Sequence, residues 1–539
     1  MKKSCSRLSV VIFCHISMLG WVNAGGFDSF TNPVYEGADP FVYRHTDGLY
    51  YFCQSEGDRG VAIWKSDKLT DKGIKRLVWK APDKGWNSKQ VWAPELHYLQ
   101  GRWYIYYAAD SGKNIDHRTG VLQSKTQDAQ GEYTDLGVIY TGDEIETGKN
   151  NRWAIDATPL EMNGKLYLIW SGWDGHDDNN QSLFIAEMEN PWTVKSNRVK
   201  IAPNDTYVWV RVSESPNKKG LNEGAQILRN KDQIFVIYSC SGSWEHTYKL
   251  GQLSIRAGQD PMNPENWVKK AEPVCAGTDT VHGVGHASFT SSPDGTEDWM
   301  VYHSKISKER GWQRNVRIEK FDWNADGSPR FPIPTTEGTV LKKPSGEKPP
   351  VKGTSFTDSF DDGLWDSWQY FGYNRFIDVR NGQLHLGIDP GWGTANNYRC
   401  GEKAMVRNAV WDNFTFSAKT KIVKGERDAG LVFRVQHPAV GYDAMKGYFA
   451  GIMPGADRAI LGKMNGRKWI EIKRADLSVE AGKEYTLEVC VRDGMIQFFV
   501  DGKLVIDAVD DEYTSGYCGL RIVSGEAAFD DVLIRADQR

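Results

Sequence analysis

Asp156-Ala157-Thr158-Pro159, followed after a turn by Leu166-Tyr167-Leu168-Ile169-Trp170, decides the fold, because the same phrase recurs along the first half of the chain. A polar or acidic residue beside a small one leads through a turn containing Gly or Asp into an aromatic-aliphatic strand. The phrase appears earlier as Asp39-Pro40 with Leu49-Tyr50-Tyr51-Phe52, and as Ala93-Pro94-Glu95 with Trp103-Tyr104-Ile105-Tyr106-Tyr107. It returns as Glu223-Gly224-Ala225 with Ile234-Phe235-Val236-Ile237-Tyr238, and as His286-Ala287-Ser288 with Trp299-Met300-Val301-Tyr302-His303. With Asp39, Glu95, Asp156, Glu223 and His286 as markers, the intervals are 56, 61, 67 and 63 residues. Five units of near-constant period, each all strand by pattern, predict a five-bladed β-propeller. Solenoid repeats are usually shorter, about 20–45 residues. The innermost strand of every blade lines the channel, so the five markers are expected to meet in one pocket.

Beyond the repeats, Lys342-Lys343-Pro344-Ser345-Gly346-Glu347-Lys348-Pro349-Pro350 lacks apolar residues and reads as a stiff, solvated linker. It separates a propeller over 27–340 from a second domain over 355–539, with the linker at 341–354. Strands of the second domain alternate well, as in Phe414-Thr415-Phe416-Ser417-Ala418-Lys419-Thr420-Lys421-Ile422. Met495–Val500 leads through Asp501-Gly502 into Lys503-Leu504-Val505-Ile506, a hairpin with a favoured turn dipeptide. The whole chain is therefore expected to be all-β, a five-bladed propeller followed by an antiparallel β-sandwich.

At 539 residues, length alone suggests three or four domains of roughly 150 residues; the repeat period reduces that to two. With 21 Trp, 23 Tyr and 21 Phe, a disordered chain is excluded. A net charge of −4 excludes an electrostatic binder of nucleic acid. Lys2, Lys3 and Arg7 precede a mostly apolar Leu8–Leu19, and Val22-Asn23-Ala24 is a small-x-small cleavage site. Residues 1–24 are thus expected to be a signal peptide cleaved after Ala24, leaving a secreted or periplasmic protein with no membrane span. The apolar run is broken by Ser9, His15 and Ser17 and is shorter than the ~20 residues a span needs. Six cysteines would remain, sparse and without a CxxC pair, which fits neither a disulfide scaffold nor a zinc site.

Two carboxylates facing each other across a channel can break a glycosidic bond, one protonating the leaving oxygen and the other activating water or attacking carbon. Asp39, Asp156 and Glu223 would be three such acids. A single Asp before Pro or Thr is usually a turn cap, but recurrence at one blade position, in a buried channel, points to chemistry.

Glu36-Gly37-Ala38-Asp39-Pro40-Phe41, Trp92-Ala93-Pro94-Glu95, Ala154-Ile155-Asp156-Ala157-Thr158-Pro159, Asn222-Glu223-Gly224-Ala225 and Gly283-Val284-Gly285-His286 stand in that order. In these motifs the chain resembles family 43 of the glycoside hydrolases, secreted five-bladed propellers acting on arabinose- and xylose-containing polysaccharides. The resemblance covers about residues 27 to 340. It implies that Asp39 is the general base, Glu223 the general acid and Asp156 the third acid, which orients Glu223 and keeps its pKa high. It implies inversion, with Asp39 and Glu223 ~6.5–9.5 Å apart to admit water.

By the same resemblance, Arg314 hydrogen-bonds the sugar and lowers the pKa of a neighbouring acid. Arg317 is the competitor; in a strand the odd spacing sends the two to opposite faces, and Arg314 is taken to face the channel. Trp92 is expected in the pocket floor, its face against a sugar's C–H face. His286 matches a histidine facing a Ca2+ or Na+ ion whose other ligands are mostly water; no organic cofactor is implied. The second domain resembles the concanavalin-like, jelly-roll sandwiches that serve such enzymes as carbohydrate-binding modules. Trp365, Trp368, Tyr370, Tyr373 and Trp392 are candidates for a sugar platform and equally for core packing. Together these features imply an exo-acting α-L-arabinofuranosidase that removes terminal arabinose by inversion. Gly242-Ser243-Trp244 and Ser292-Pro293-Asp294-Gly295-Thr296-Glu297-Asp298-Trp299 lean that way. The alternatives are a β-xylosidase or endo-arabinanase of the same fold and, in another class, a non-catalytic carbohydrate-binding propeller.

Overall fold

The computed structural model describes residues 27–177, 179–373, 376–387 and 401–537. The expected signal peptide and Trp392 lie outside the described residues. Five antiparallel sheets follow one another along the first part of the chain. Their first strands are Phe41–Arg44, Lys89–Leu99, Ala154–Met162, Asn222–Asn230 and His282–Ser291. Each lies against the first strand of the next sheet, and the fifth against the first, so the five close a ring around a channel. The short strand Tyr35–Glu36, which precedes the first blade, pairs with Arg314–Trp323 at the outside of the fifth and fastens the ring.

The aromatic-aliphatic runs follow from this geometry. A blade strand is buried on both faces, so alternate side chains fill opposite gaps and both sets are apolar. Trp103, Ile105 and Tyr107 pack toward the first blade, while Tyr104 and Tyr106 pack toward the third. Five apolar clusters fill the five gaps between blades in this way.

From Ser355 the chain forms two facing sheets of eight and seven strands. Phe414, Phe416, Ala418 and Ile422 point into the core between them, and their neighbours along the strand are only half-buried. Asp501 and Gly502 both have positive φ, 49° and 75°, as the tight hairpin turn requires.

The 341–354 segment is not the solvated spacer its composition suggests. Val340–Lys342 pairs with Ser29–Thr31. The Leu69 and Thr70 amides donate to Glu347 Oε1 at 2.7 and 2.9 Å. A proline-rich, charged stretch looks free in sequence because its partners, two backbone amides far upstream, leave no mark there. Further ties hold the sandwich to the first blade: Arg76 donates to both oxygens of Asp366 at 2.9 and 2.6 Å, Gln369 donates to the Thr70 carbonyl at 2.9 Å, and Arg407 pairs with Asp71.

Candidate active site

A cavity of about 780 Å³ opens at one end of the propeller channel. Asp39, Trp92, Asp156, Glu223, His286 and Arg314 all line it. Backbone geometry explains how distant residues converge. In four blades the register between the first and second strands slips by a bulge, between Trp92 and Glu95, Ile155 and Thr158, Glu223 and Gln226, and Gly285 and Ser288. Each slip contains a residue of left-handed φ: Ala93 at 38°, Asp156 at 52°, Gly224 at 58° and His286 at 48°. Asp39, ahead of the first inner strand, has φ 49°. A bulge takes one residue out of the ladder and re-aims its side chain; Asp156 and His286 are turned to the cavity in this way, and in the fourth blade the left-handed Gly224 stands beside the cavity residue Glu223.

The bulge also corrects one expectation. Glu95 does not join the other markers in the cavity. The left-handed residue of its blade is Ala93, so Glu95, two positions on, points deeper into the channel. There it accepts from Gln226 Nε2 at 2.5 Å and stands 3.0 Å from His97 Nε2. Burial raises its carboxyl well above the usual range, and Asp156 adds to the shift.

The three acids of the cavity have opposite electrostatics. Burial alone would raise Asp39, but the charges of Arg314 and His286 oppose it, and its carboxyl lies well below the usual range. Arg314 NH1 and His286 Nδ1 lie 3.3 Å from Asp39 Oδ1. His303, fully buried and pushed down to about 3 by that burial, accepts the Asp39 backbone N–H at 3.1 Å. Glu223 is raised by burial and further by Asp39, and His286 tempers the effect. Tyr248 donates its hydroxyl to Glu223 Oε1 at 2.8 Å, and Gln181 donates to Oε2 at 3.2 Å. Asp156, pushed up to about 7 by burial with Glu223 and Asp39 adding, accepts the Gly224 amide at 3.0 Å. A carboxyl held toward its ionised form and two pushed toward their protonated forms thus share one cavity.

Arg314 and Arg317 leave opposite faces of one strand, as the odd spacing requires. Arg314 reaches the cavity, while Arg317 is buried and donates to the Thr335 carbonyl. Trp92 lies on the imidazole of His117, with centroids 3.8 Å apart. His286 turns Nδ1 toward Asp39 and leaves its other nitrogen as the donor it could offer an ion. Among the described residues no group of three ligating side chains could hold a metal. The setting suits only a hard cation that keeps most of its water.

Sequence reasoning missed His303, Tyr248 and Gln181, which look like ordinary members of apolar or polar runs. A faint signal existed in Gly285 of the quoted fifth motif: a Cβ there would overlap the Tyr248 ring. It also missed the exposed Trp312 at the cavity rim, and quoted the neighbouring Trp244 in a motif without placing it there. Of the sandwich aromatics, Trp368 and Tyr370 are core residues, and Trp365 packs against that core. Tyr373 and Phe376 instead line the same cavity, so the second domain supplies part of its wall. The Tyr373 amide donates to the buried Glu402 at 3.2 Å. Gly372 lets the chain pass over that carboxylate, since a Cβ there would land on Glu402 and the Tyr370 hydroxyl.

Comparison with known proteins bears on this arrangement. Residues 30–329 match the family described as "Glycosyl hydrolases family 43", and residues 355–535 match the "3-keto-alpha-glucoside-1,2-lyase-like domain". An extracellular exo-alpha-(1->5)-L-arabinofuranosidase of Streptomyces avermitilis is 34% identical over 327 residues, 58% of this chain and 65% of that protein. Alpha-L-arabinofuranosidase 43 of Humicola insolens is 34% identical over 315 residues, 56% of this chain and 62% of that protein. The matches therefore span just under two thirds of these relatives. The crystal structure of an alpha-L-arabinofuranosidase from Lactobacillus brevis is similar with a TM-score of 0.53 and 31% identity, over 57% of this chain and 98% of that one.

Proposed function

Since this chain belongs to family 43 of the glycosyl hydrolases, we propose that it is a secreted glycoside hydrolase removing terminal α-L-arabinofuranosyl residues from plant-type polysaccharides by an inverting single displacement. The observation that carries the reading is the division of proton affinity within one cavity. Asp39 is held toward its ionised form by Arg314 and His286, while Asp156 and Glu223 are driven toward their protonated forms by burial.

In this reading Asp39 takes a proton from the attacking water, and Glu223 gives its proton to the leaving oxygen. Asp156 sits beside Glu223 as a second raised acid, so the pair resists losing its proton near neutral pH. Tyr248 and Gln181 fix both oxygens of Glu223, and Arg314 combines a sugar contact with its hold on Asp39. The mechanism requires ~6.5–9.5 Å between the Asp39 and Glu223 carboxyls, room for one water. A Ca2+ or Na+ ion at His286 belongs to the reading as a source of charge balance; no proton transfer passes through it. The wall supplied by Tyr373 and Phe376 favours a pocket for a chain end over a groove for internal cleavage.

The test is turnover of 4-nitrophenyl α-L-arabinofuranoside and β-D-xyloside by the enzyme and its Glu223→Gln form. Arabinofuranoside hydrolysis lost in the variant supports the proposal. Xyloside hydrolysis alone would make the enzyme a β-xylosidase, and oligosaccharide release from linear arabinan an endo-arabinanase. No turnover of any of these by the wild type leaves a carbohydrate-binding propeller.

A further inference from the structure

Asp110 and His117 form a buried ionisable pair that the proposed chemistry does not use. Both side chains are fully buried, with His117 Nδ1 3.0 Å from Asp110 Oδ2. The ring's other nitrogen, Nε2, lies 3.2 Å from the carbonyl oxygen of Gln90. A carbonyl only accepts, so Nε2 carries a hydrogen. Nδ1 and Oδ2 face each other at ion-pair distance without hydrogen-bond alignment, and neither atom has another hydrogen-bond partner. The second oxygen of Asp110 is engaged as well, by the Gly112 amide at 2.7 Å. The pair is thus anchored at the outer oxygen of Asp110 and at Nε2 of the ring, and packing holds its two facing atoms at contact distance.

That arrangement touches the cavity chiefly at Trp92, with Trp153, another wall residue, 6.3 Å from the His117 ring. The His117 ring stacks on Trp92 at 3.8 Å and 26°. It also binds the carbonyl of Gln90, two residues upstream of Trp92. Gln90 and Ala93 both have left-handed φ, 49° and 38°. Side chains with a Cβ hold such conformations only where the surroundings over-determine them. His117 grips this strained segment at its backbone and at its indole, and Asp110 fixes the ring that does so.

We propose that Asp110 and His117 are positioning residues for substrate binding, holding the Gln90–Ala93 bulge so that Trp92 presents its free face to the sugar. This rests on the glycosidase reading for its substrate, an arabinofuranoside or a similar pentoside. The pair touches no reacting atom, so its effect falls on KM and leaves kcat nearly alone.

In the full-length enzyme, Trp92→Ala sets the ceiling, a five- to tenfold rise in KM, about the worth of one aromatic stacking contact. His117→Ala should approach that ceiling with kcat within about twofold, and should add nothing in the Trp92→Ala background. Asp110→Asn should stay near wild type, since the amide keeps the shape of the carboxyl and its oxygen can still accept the Gly112 N–H. Asp110→Leu should behave as His117→Ala does. A second readout is independent of turnover. In protein labelled with 5-fluorotryptophan, the 19F resonance identified by Trp92→Phe should move in His117→Ala and Asp110→Leu and hold in Asp110→Asn. An unmoved resonance, additive KM effects in the double variant, or a loss confined to kcat would overturn the proposal. If the wild type hydrolyses no pentoside, the functional reading fails while the fluorine spectrum still judges the positioning role.

Discussion

Asp156 in the propeller and Arg434 in the sandwich are placed by the same backbone device and used in opposite ways. Each has left-handed φ, 52° and 48°, and each sits at a register slip, between Ile155 and Thr158 and between Phe433 and Gln436. Each is almost completely buried. The bulge of Arg434 aims a guanidinium at the carbonyls of Asp412, Asp493 and Tyr513 and at Asn413 Oδ1, at 2.7 to 3.1 Å. Its donors are consumed in fastening loops. The bulge of Asp156 aims a carboxyl at a cavity, beside two more acids. Burial of charge is common to both domains, so burial alone does not mark a functional group. What marks it is capacity for bonding left facing open space.

The largest effects should separate these two uses. Asp39→Asn and Glu223→Gln are each expected to lower kcat by about 10²–10⁴-fold while the folded protein survives. Glu223→Gln should not lower the melting temperature at pH 8, because it removes an acid whose ionisation burial disfavours. Arg434→Met should do the reverse, costing about 3–5 kcal/mol of sandwich stability by stranding buried carbonyls and leaving kcat per folded molecule unchanged. Calorimetry with active-site titration reads both quantities; a stable, inactive Arg434→Met protein would erase the distinction.

The next effect is in pH. Asp39 remains ionised far into acid, so kcat/KM should hold on the acid side and fall on the alkaline side as the Asp156–Glu223 pair loses its proton, around 7 for Asp156. Replacing Arg314 by Met removes a cation that favours the Asp39 carboxylate, so the acid limb should move to higher pH. Stability carries the matching signs. Asp39, with a depressed folded pKa, stabilises above the ordinary carboxylate range and loses that contribution as pH falls through its lower folded value. Asp156, with a raised one, weakens the fold as pH climbs from about 4 through 7. Asp156→Asn should therefore gain stability relative to wild type across that window, and equal melting curves at pH 4 and 8 for the two proteins would count against the assignment.

The propeller was legible because its repeat writes the same strand five times, and because a doubly buried strand is apolar throughout. The cavity residues were legible where a left-handed position falls next to a small or rigid residue, as at Asp39-Pro40 and Asp156-Ala157. Glu95 misled because Pro94 stands between it and the bulge at Ala93. His303, Tyr248 and His117 reach their partners across strands and blades, so no local spacing announces them. The same holds for Glu347, whose donors are amides nearly three hundred residues upstream in a different blade edge.

The smallest expected effects test where the cavity wall passes from one domain to the other. Trp312, on the propeller rim, is 58% exposed, with Arg314 5.6 Å from its ring. Tyr373, from the sandwich, is tied through its amide to the buried Glu402. An exposed indole at the mouth can stack on a sugar beyond the one being cleaved, a contact worth about 0.5–1.5 kcal/mol. Trp312→Ala should then raise KM about two- to fivefold for arabino-oligosaccharides and leave 4-nitrophenyl arabinofuranoside unaffected. Tyr373→Ala removes part of the inner wall, so it should raise KM for both substrates. If instead Tyr373→Ala spares the small substrate, the sandwich only lengthens the rim. Its buried Glu402 would then stand with Arg434 among groups that hold the second domain together, and the propeller alone would shape the site for the cleaved sugar.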